Sequence, residues 1–361
     1  MPAQTQELLL ASEPALVDQS QDRTAVDGRW LPLLQRLEAL GWIKPGEHLT
    51  RTEPAGVGNM NRTLRIELAG EDSSRSLVLK QALPYVARYP DIPAPIERGA
   101  VEATFYEATA AVSEVAAAMP RLLGFDADHH LLALEDLGAA RDFSALYDDQ
   151  PEEHRSVWRS ALPAIMDWLL ALHTRVPAAG TPANEAMRTL NHEHIFNVPY
   201  AVPAAVEVPA SLAALRQQIL EDRRARRQLT ELGALYLGHA TDALHPGNPV
   251  RLHGDYYPGS WLLDSGDHPH VIDPEFSFAG PAEFDLAVMR AHLALAGENE
   301  ATWHALLDRY LLERTVDEAL LEAFAAAEIL RRIYGVAQLP LSLSEAEQLN
   351  LCTRAWNTLS A

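Results

Sequence analysis

The chain has 361 residues, 48% hydrophobic and 22% charged, enough to bury a large core in two domains or in one domain of two lobes. That balance excludes disorder and a collagen-like repeat, and the single cysteine, Cys352, excludes an intramolecular disulfide or a multi-cysteine metal site. The 29 basic and 50 acidic residues leave a net charge of −21, a surface that repels nucleic acid and anionic lipid, so neither partner is expected.

Residues 1–28 are polar and weakly patterned and read as a tail or lead-in. Leu31, Leu33, Leu34, Leu37 and Leu40 recur at near-helical spacing and predict a helix that stops at Gly41. Residues 63–68 and 76–80 alternate in polarity and predict two antiparallel strands joined by a hairpin over 70–74. An alanine-rich stretch without proline predicts one long helix over 97–119, followed by short strands at 121–125 and 131–135. From Asp142 the pattern is mostly helical, with helices over 151–174, 211–238, 281–296 and much of the remainder. A strand–turn–strand section interrupts it at 251–273, and the Pro- and Ala-rich residues 177–210 read as a surface excursion. Trp30, Trp42, Trp158, Trp168, Trp303 and Trp356 lie in helical patterns and read as core or interface. No internal repeat is visible. No apolar run reaches the roughly 18 residues of a membrane span, and Glu7, Glu13 and Asp18 stand where a secretory signal would be basic, so a cytoplasmic protein is expected.

Four short elements carry chemistry. Gly56-Val57-Gly58-Asn59-Met60-Asn61 stands just before a predicted strand, where glycines let backbone N–H groups approach and hold phosphate oxygens. Lys80, at the end of the next strand, can reach the α- and β-phosphates of a nucleotide. It and Lys44 are the only lysines, in a chain that otherwise uses arginine. Glu102 on the following helix is the natural partner for Lys80, with Glu97 and Glu107 as competing candidates. His253-Gly254-Asp255-Tyr256-Tyr257-Pro258-Gly259-Ser260 resembles the kinase catalytic loop, with Asp255 placed to accept a hydroxyl proton and Ser260 where a metal-holding Asn would stand. Asp273 and Glu275 end a short apolar strand as carboxylates at i and i+2, the donor type that suits Mg²⁺. In this order the elements predict an α+β, two-lobed, protein-kinase-like fold. A small antiparallel-sheet lobe over 29–136 would bind nucleotide, and a larger, mainly helical lobe over 137–361 would hold the catalytic loop and the acceptor.

The His-Gly-Asp form, with no Asp-Phe-Gly and no Ala-Pro-Glu, resembles the aminoglycoside and choline kinase group. Longer strings resemble the 5-methylthioribose kinase family: Lys80-Gln81-Ala82-Leu83-Pro84-Tyr85, Gly58-Asn59-Met60-Asn61, the Gly259-Ser260 ending and Asp273-Pro274-Glu275-Phe276. Arg331-Arg332 resembles that family's twin-arginine motif. The resemblance implies transfer of the ATP γ-phosphate to the 1-hydroxyl of 5-methylthioribose, within methionine salvage, by a homodimer. It implies Asp255 as base, and Asp273 and Glu275 as Mg²⁺ ligands assisted by Ser260. Lys80, steadied by Glu102, would hold nucleotide phosphates covered by Gly56, Gly58, Asn59 and Asn61. The backbone from Glu135 to Leu137 would meet adenine as a hinge, with Arg331 and Arg332 at the transferring phosphoryl group or the sugar.

The chain departs from that family in two places. Tyr89-Pro90 and Pro93 stand where a Trp-Pro pair is usual, and Tyr256-Tyr257-Pro258 replaces smaller, His-containing residues. Another 5-substituted ribose, an aminoglycoside or another small alcohol therefore stays open as acceptor, and a catalytically inactive nucleotide-binding protein stands behind these. Asn191-His192-Glu193-His194 lacks the i, i+4 spacing of a helical zinc site, and Asp285 is expected to brace the catalytic loop.

Overall fold

The computed structural model describes residues 30–56, 60–71, 73–149, 151–239 and 248–361, so the predicted tail over 1–28 lies outside the described residues. Its internal contacts fall into two units: the described residues up to Ala110 with Pro120–Gly138, and Ala111–Met119 with Ala139–Ala361.

The first unit opens with α1 (Leu31–Ala39), which buries Leu33 and Leu37 one turn apart and gives way to Gly41 at φ +71°. Strands β1 (His48–Pro54), β2 (Asn61–Ala69) and β3 (Ser74–Ala82) follow, then a small hairpin of β4 (Tyr85–Val86) and β5 (Tyr89–Pro93). Helix α2 (Arg98–Thr109) comes next. The chain then forms the one-turn helix α3 (Ser113–Ala116) of the second unit and returns as β6 (Leu122–Asp126) and β7 (Leu131–Glu135). The main sheet is antiparallel throughout, in the order β1-β2-β3-β7-β6. Alternation in β2 and β3 sends Leu64, Ile66, Leu68, Leu77 and Leu79 to one face, where they pack with Trp30, Leu33, Leu37 and Leu131. Each such side chain contributes about 1.5–3 kcal/mol by leaving water.

The single helix predicted over 97–119 is two. It breaks at Val112, which is extended (φ −107°, ψ 100°), because residues 111–119 answer to the second unit. There Val115 is fully buried, its carbonyl accepts from Trp168 Nε1 (3.1 Å), and the Ala118 carbonyl accepts from Val271 N (2.8 Å). Tertiary pairing overrides a stretch of good helix formers.

The second unit contains β8 (Arg141–Asp142), α4 (Glu152–Arg175), α5 (Glu185–His192), α6 (Ala210–Glu221) and α7 (Arg223–Tyr236). Short strands β9 (Val250–Arg251), β10 (Trp261–Leu263), β11 (Pro269–Val271) and β12 (Ala279–Gly280) come next, and α8 (Ala282–Leu295), α9 (Glu300–Leu311), α10 (Glu318–Tyr334) and α11 (Glu345–Ser360) complete it. Helices α8 and α10 are buried over most of their surface, and both are rich in Ala and Leu. Two readings need correction. Residues 177–210 are more than a surface excursion: α5, a π-turn at Glu193–Asn197 and a 3₁₀ turn at Val198–Tyr200 bury Met187, Ile195, Phe196 and Tyr200. The helix predicted over 211–238 is α6 and α7, parted at Asp222. That carboxylate caps α7 by accepting from Arg224 N (2.8 Å), and it also accepts from Trp356 Nε1 (2.8 Å) and Ser360 Oγ (2.7 Å) of α11. The protein is thus an α+β molecule with an antiparallel sheet in its N-terminal part and a mainly helical C-terminal part. Among the described residues no helix is long and apolar enough to cross a membrane.

Candidate active site

In the first unit, β3 lies between β2 and β7 with Lys80 facing Thr63 and Leu132 across the strands, while α2 brings Glu102 to it. Lys80 Nζ meets both carboxylate oxygens of Glu102, at 2.9 and 2.7 Å, with both side chains almost wholly buried. Glu97 instead stands at the N-terminus of α2. A buried ammonium bonded to a carboxylate is held in one direction, the condition for presenting a charge to an anionic ligand.

The glycine-rich segment is described at its ends only, and Gly58 and Asn59 lie outside the described residues. Gly56 sits at φ +78°, a backbone state that favours glycine. At the other end Asn61 is buried, its Oδ1 accepting from Arg98 Nε (3.0 Å). Arg98, fully buried, also donates to the carbonyls of Met60 (2.9 Å), Leu83 (2.7 Å) and Pro95 (2.7 Å). It ties the end of the glycine segment to the chain leaving β3. Sequence reasoning missed Arg98, and a lone arginine at a helix start gives no signal for it. The segment proposed to meet adenine is also fixed. Glu135 N donates to Arg121 O (2.9 Å), and Asp136 beside it takes Arg65 at 2.8 and 2.9 Å and Gly138 N at 2.9 Å. Leu137 between them is partly exposed.

In the second unit the candidate catalytic loop follows β9. Asp285, in the first turn of α8, accepts from His253 N (2.7 Å) and Gly254 N (2.9 Å), and it also meets His173 Nε2 (3.2 Å). It braces the loop. His253 Nε2 lies 2.9 Å from the Ile272 carbonyl, which can only accept, so that nitrogen carries the proton and Nδ1 accepts from Asp255 N at 3.4 Å. Gly254, at φ +89°, has no room for a side chain: a Cβ would run into the Phe276 carbonyl. Ser260 Oγ donates to the Asp255 carbonyl (3.0 Å), and Ser260 O accepts from Ile272 N (3.0 Å), which links the loop to the segment carrying Asp273 and Glu275. Asp273 adopts a left-handed conformation (φ +63°) and is partly exposed, whereas Glu275 is buried. Asn184, just before α5, donates from Nδ2 to the carbonyls of both Glu275 and Ser277 (3.0 Å each) and holds that turn, another residue without a sequence signal.

The two tyrosines of the loop diverge. Tyr256 is buried, donates to Ile165 O (2.7 Å) and stacks on Trp168 with centroids 5.5 Å apart, so it is a packing residue. Tyr257 instead stands beside Arg332, whose guanidinium lies 5.0 Å from its ring. Arg331 and Arg332, adjacent on α10, are both buried and both bonded to Glu328. Arg332 Nη2 also stands 3.6 Å from Asp255 Oδ1. That oxygen is buried without a hydrogen-bond donor, although 21% of the Asp255 side chain is exposed. Burial pushes the Asp255 carboxyl up to about 6, against the opposing pull of Arg332 and Arg331. A carboxylate so placed can accept a proton from a hydroxyl, with two guanidinium groups nearby to stabilise negative charge.

Among the described residues no cluster of three or more His, Cys, Asp or Glu is arranged to hold a metal. In Asn191–His194, Asn191 donates to Tyr236 OH (3.0 Å) and His192 packs on Phe196, which is core packing.

A model of the phosphotransferase enzyme family known as APH matches residues 53–332. The methylthioribose kinase of Exiguobacterium sibiricum is 27% identical over 343 residues, which cover 84% of this chain and 84% of that protein. The methylthioribose kinase of Cronobacter sakazakii is 25% identical over 331 residues, 83% and 80% of the two. Among solved structures, the choline kinase LicA of Streptococcus pneumoniae in complex with AMP matches 91% of this chain and 97% of that one, at 15% identity and TM-score 0.51, which shows the fold. With the family model spanning most of its length, the chain belongs to the APH phosphotransferase enzyme family and is a phosphotransferase with an alcohol group as acceptor.

Proposed function

We propose that this enzyme transfers the γ-phosphate of ATP to a hydroxyl of a small sugar, and that the sugar is 5-methylthioribose, phosphorylated at its 1-hydroxyl. The observation that carries the reading is Asp255 Oδ1: a buried carboxylate oxygen without a hydrogen-bond donor, beside two arginines held by one glutamate. Asp255 orients the acceptor hydroxyl and takes its proton, and Arg331 and Arg332 stabilise charge on the transferring group or fix the sugar. Lys80, held by Glu102, binds nucleotide phosphates, with Gly56, Gly58 and Asn59 covering them and Asn61 anchoring that segment through Arg98. The backbone at Glu135 and Leu137 receives the adenine.

Mg²⁺ fits the donors present. It is bound in nucleotide sites by one or two carboxylates plus phosphate oxygens and water, so a three-residue protein cage is not required. Asp273 and Glu275 would hold it, with Ser260 reaching it directly or through water, and it would neutralise charge on the phosphates. The named activity of the relatives and the twin arginines support the sugar over a polycationic aminoglycoside, which two buried guanidinium groups would repel. We place the enzyme in the cytoplasm, where ATP is available, as a homodimer.

Turnover with ATP and Mg²⁺ should be measured against 5-methylthioribose, 5-deoxyribose, ribose, choline and aminoglycosides. Highest kcat/KM on 5-methylthioribose is expected. Activity confined to aminoglycosides would overturn the sugar assignment, and turnover of no acceptor would overturn the kinase reading itself.

A further inference from the structure

Glu328 lies one turn before Arg331 and Arg332 on α10, at the i, i+3 and i, i+4 spacings that bring side chains together. Its Oε1 accepts from Arg332 Nε (2.7 Å) and its Oε2 from Arg331 Nη1 (3.0 Å). From α8, His292 Nε2 reaches the same Oε1 at 3.2 Å. A carboxylate facing two guanidinium groups is ionised and only accepts, so His292 Nε2 carries a proton. Burial, with the Arg332 charge, lowers His292 to about 4, so the ring is neutral and Nδ1 is an acceptor. Tyr147 OH must then donate to that Nδ1. The result is a directed chain, Tyr147 to His292 to Glu328, in which each group has one role to play. Tyr257 closes it from the loop side, 5.0 Å from the His292 ring and 5.0 Å from the Arg332 guanidinium.

The consequence concerns Arg332. A guanidinium has two edges, and a nearby carboxylate normally captures one in a bidentate pair. Here Glu328 takes Nε at 2.7 Å, whereas Nη2 remains 3.6 Å from Asp255, too long for a hydrogen bond. Asp255 Oδ1 is therefore near a positive charge without being clamped by it.

We infer that Glu328 is a positioning residue of the transfer reaction: fixed by His292 and Tyr147, it aims Arg331 and Arg332 and prevents the Arg332 fork from closing on Asp255. This inference rests on the kinase reading above. It predicts that a neutral residue at 328 lets Arg332 swing onto Asp255 and silence it, without changing nucleotide binding.

Glu328→Gln tests this in the full-length enzyme through kcat, both KM values and the Nε–H NMR signal of Arg332. Expected are a fall in kcat of at least tenfold, a nucleotide KM within twofold of wild type, and an altered Arg332 Nε–H signal. In an Arg332→Ala background the same substitution should cost less than threefold more, since no fork remains to misplace. Glu328→Asp, which keeps the charge, should recover part of the loss. Equal losses in the two backgrounds would overturn the proposal, as would an unchanged kcat or an unchanged Nε–H signal. Loss of the folded state in both Glu328 variants, followed by thermal unfolding, would overturn it too by making the residue structural. A wild-type enzyme without turnover on any acceptor would strike the kinase reading instead, and the Nε–H signal would still decide how Arg332 is held.

Discussion

Two buried ion clusters of this protein are built on opposite principles. In the first unit Lys80 and Glu102 form a closed pair, one cation on both oxygens of one anion. In the second unit Arg331 and Arg332 share Glu328, and Asp255 stands 3.6 Å from the nearest guanidinium with an oxygen lacking a hydrogen-bond donor. The closed pair suits a group that holds a ligand, because its energy is realised in one fixed geometry. The open cluster suits a group that reacts, because an incompletely satisfied carboxylate has capacity left for a hydroxyl.

The largest expected effect probes the open cluster. Asp255→Asn should lower kcat by about 10³-fold, within the usual range for losing a general base, while nucleotide affinity measured by calorimetry is unchanged. Retention of full activity would remove Asp255 from the chemistry. The same variant should be more stable than wild type. The Asp255 carboxyl is raised to about 6 from an ordinary 3.8, so the native fold binds its proton more tightly than the unfolded chain does. That stabilisation is complete below about pH 3.8 and lost as pH rises through about 6. At pH 7.5 Asp255→Asn should gain on the order of 2 kcal/mol in urea unfolding, and the gain should vanish toward pH 4. A pH-independent difference would contradict the assignment.

The closed pair should respond in the opposite sense. Lys80→Met takes the ammonium away from the buried Glu102 carboxylate, with an expected cost of about 3–5 kcal/mol, whereas Lys80→Met with Glu102→Leu should recover most of it. If the double variant is no more stable than the single one, the pair is not what holds this region. A smaller effect, about 2–3 kcal/mol, is expected for Gly254→Ala, through the left-handed backbone and the Phe276 carbonyl. The smallest belongs to a surface pair. Arg309 meets Asp167 at 2.5 and 2.7 Å with both side chains about half exposed, and Arg309→Ala should leave the urea midpoint unchanged within error.

What the sequence revealed follows from how local each feature is. Alternation over 63–68 and 76–80 fixed two strands, because a half-buried strand writes its burial into every second residue. His253, Asp255, Asp273 and Glu275 stood out as candidates because the chemistry proposed for them needs particular residue types at short spacing. The breaks at Val112 and Asp222 were not, since both depend on distant partners: Trp168 and Val271 for the first, Trp356 and Ser360 for the second. Arg98 and Asn184 were invisible for the same reason. Each acts by donating to backbone carbonyls remote in sequence, and a carbonyl belongs to every residue type. Tyr256 and Tyr257 looked equivalent until packing sent one to Trp168 and the other to Arg332.

The assignment of Ala111–Met119 to the second unit has a consequence for synthesis. The chain passes from one unit to the other after Ala110, returns at Pro120 and leaves again after Gly138. No single cut therefore yields two complete fragments. A ribosome that has released the first three strands has not yet supplied β7, which pairs with β3, so the sheet must wait for residues that follow a detour. The second unit in turn begins with nine residues whose partners, Trp168 on α4 and Val271 on β11, are made later. The first unit can close once Gly138 has been made, but only with a nine-residue piece of its neighbour looped out of it and left without partners until the rest of the second unit follows.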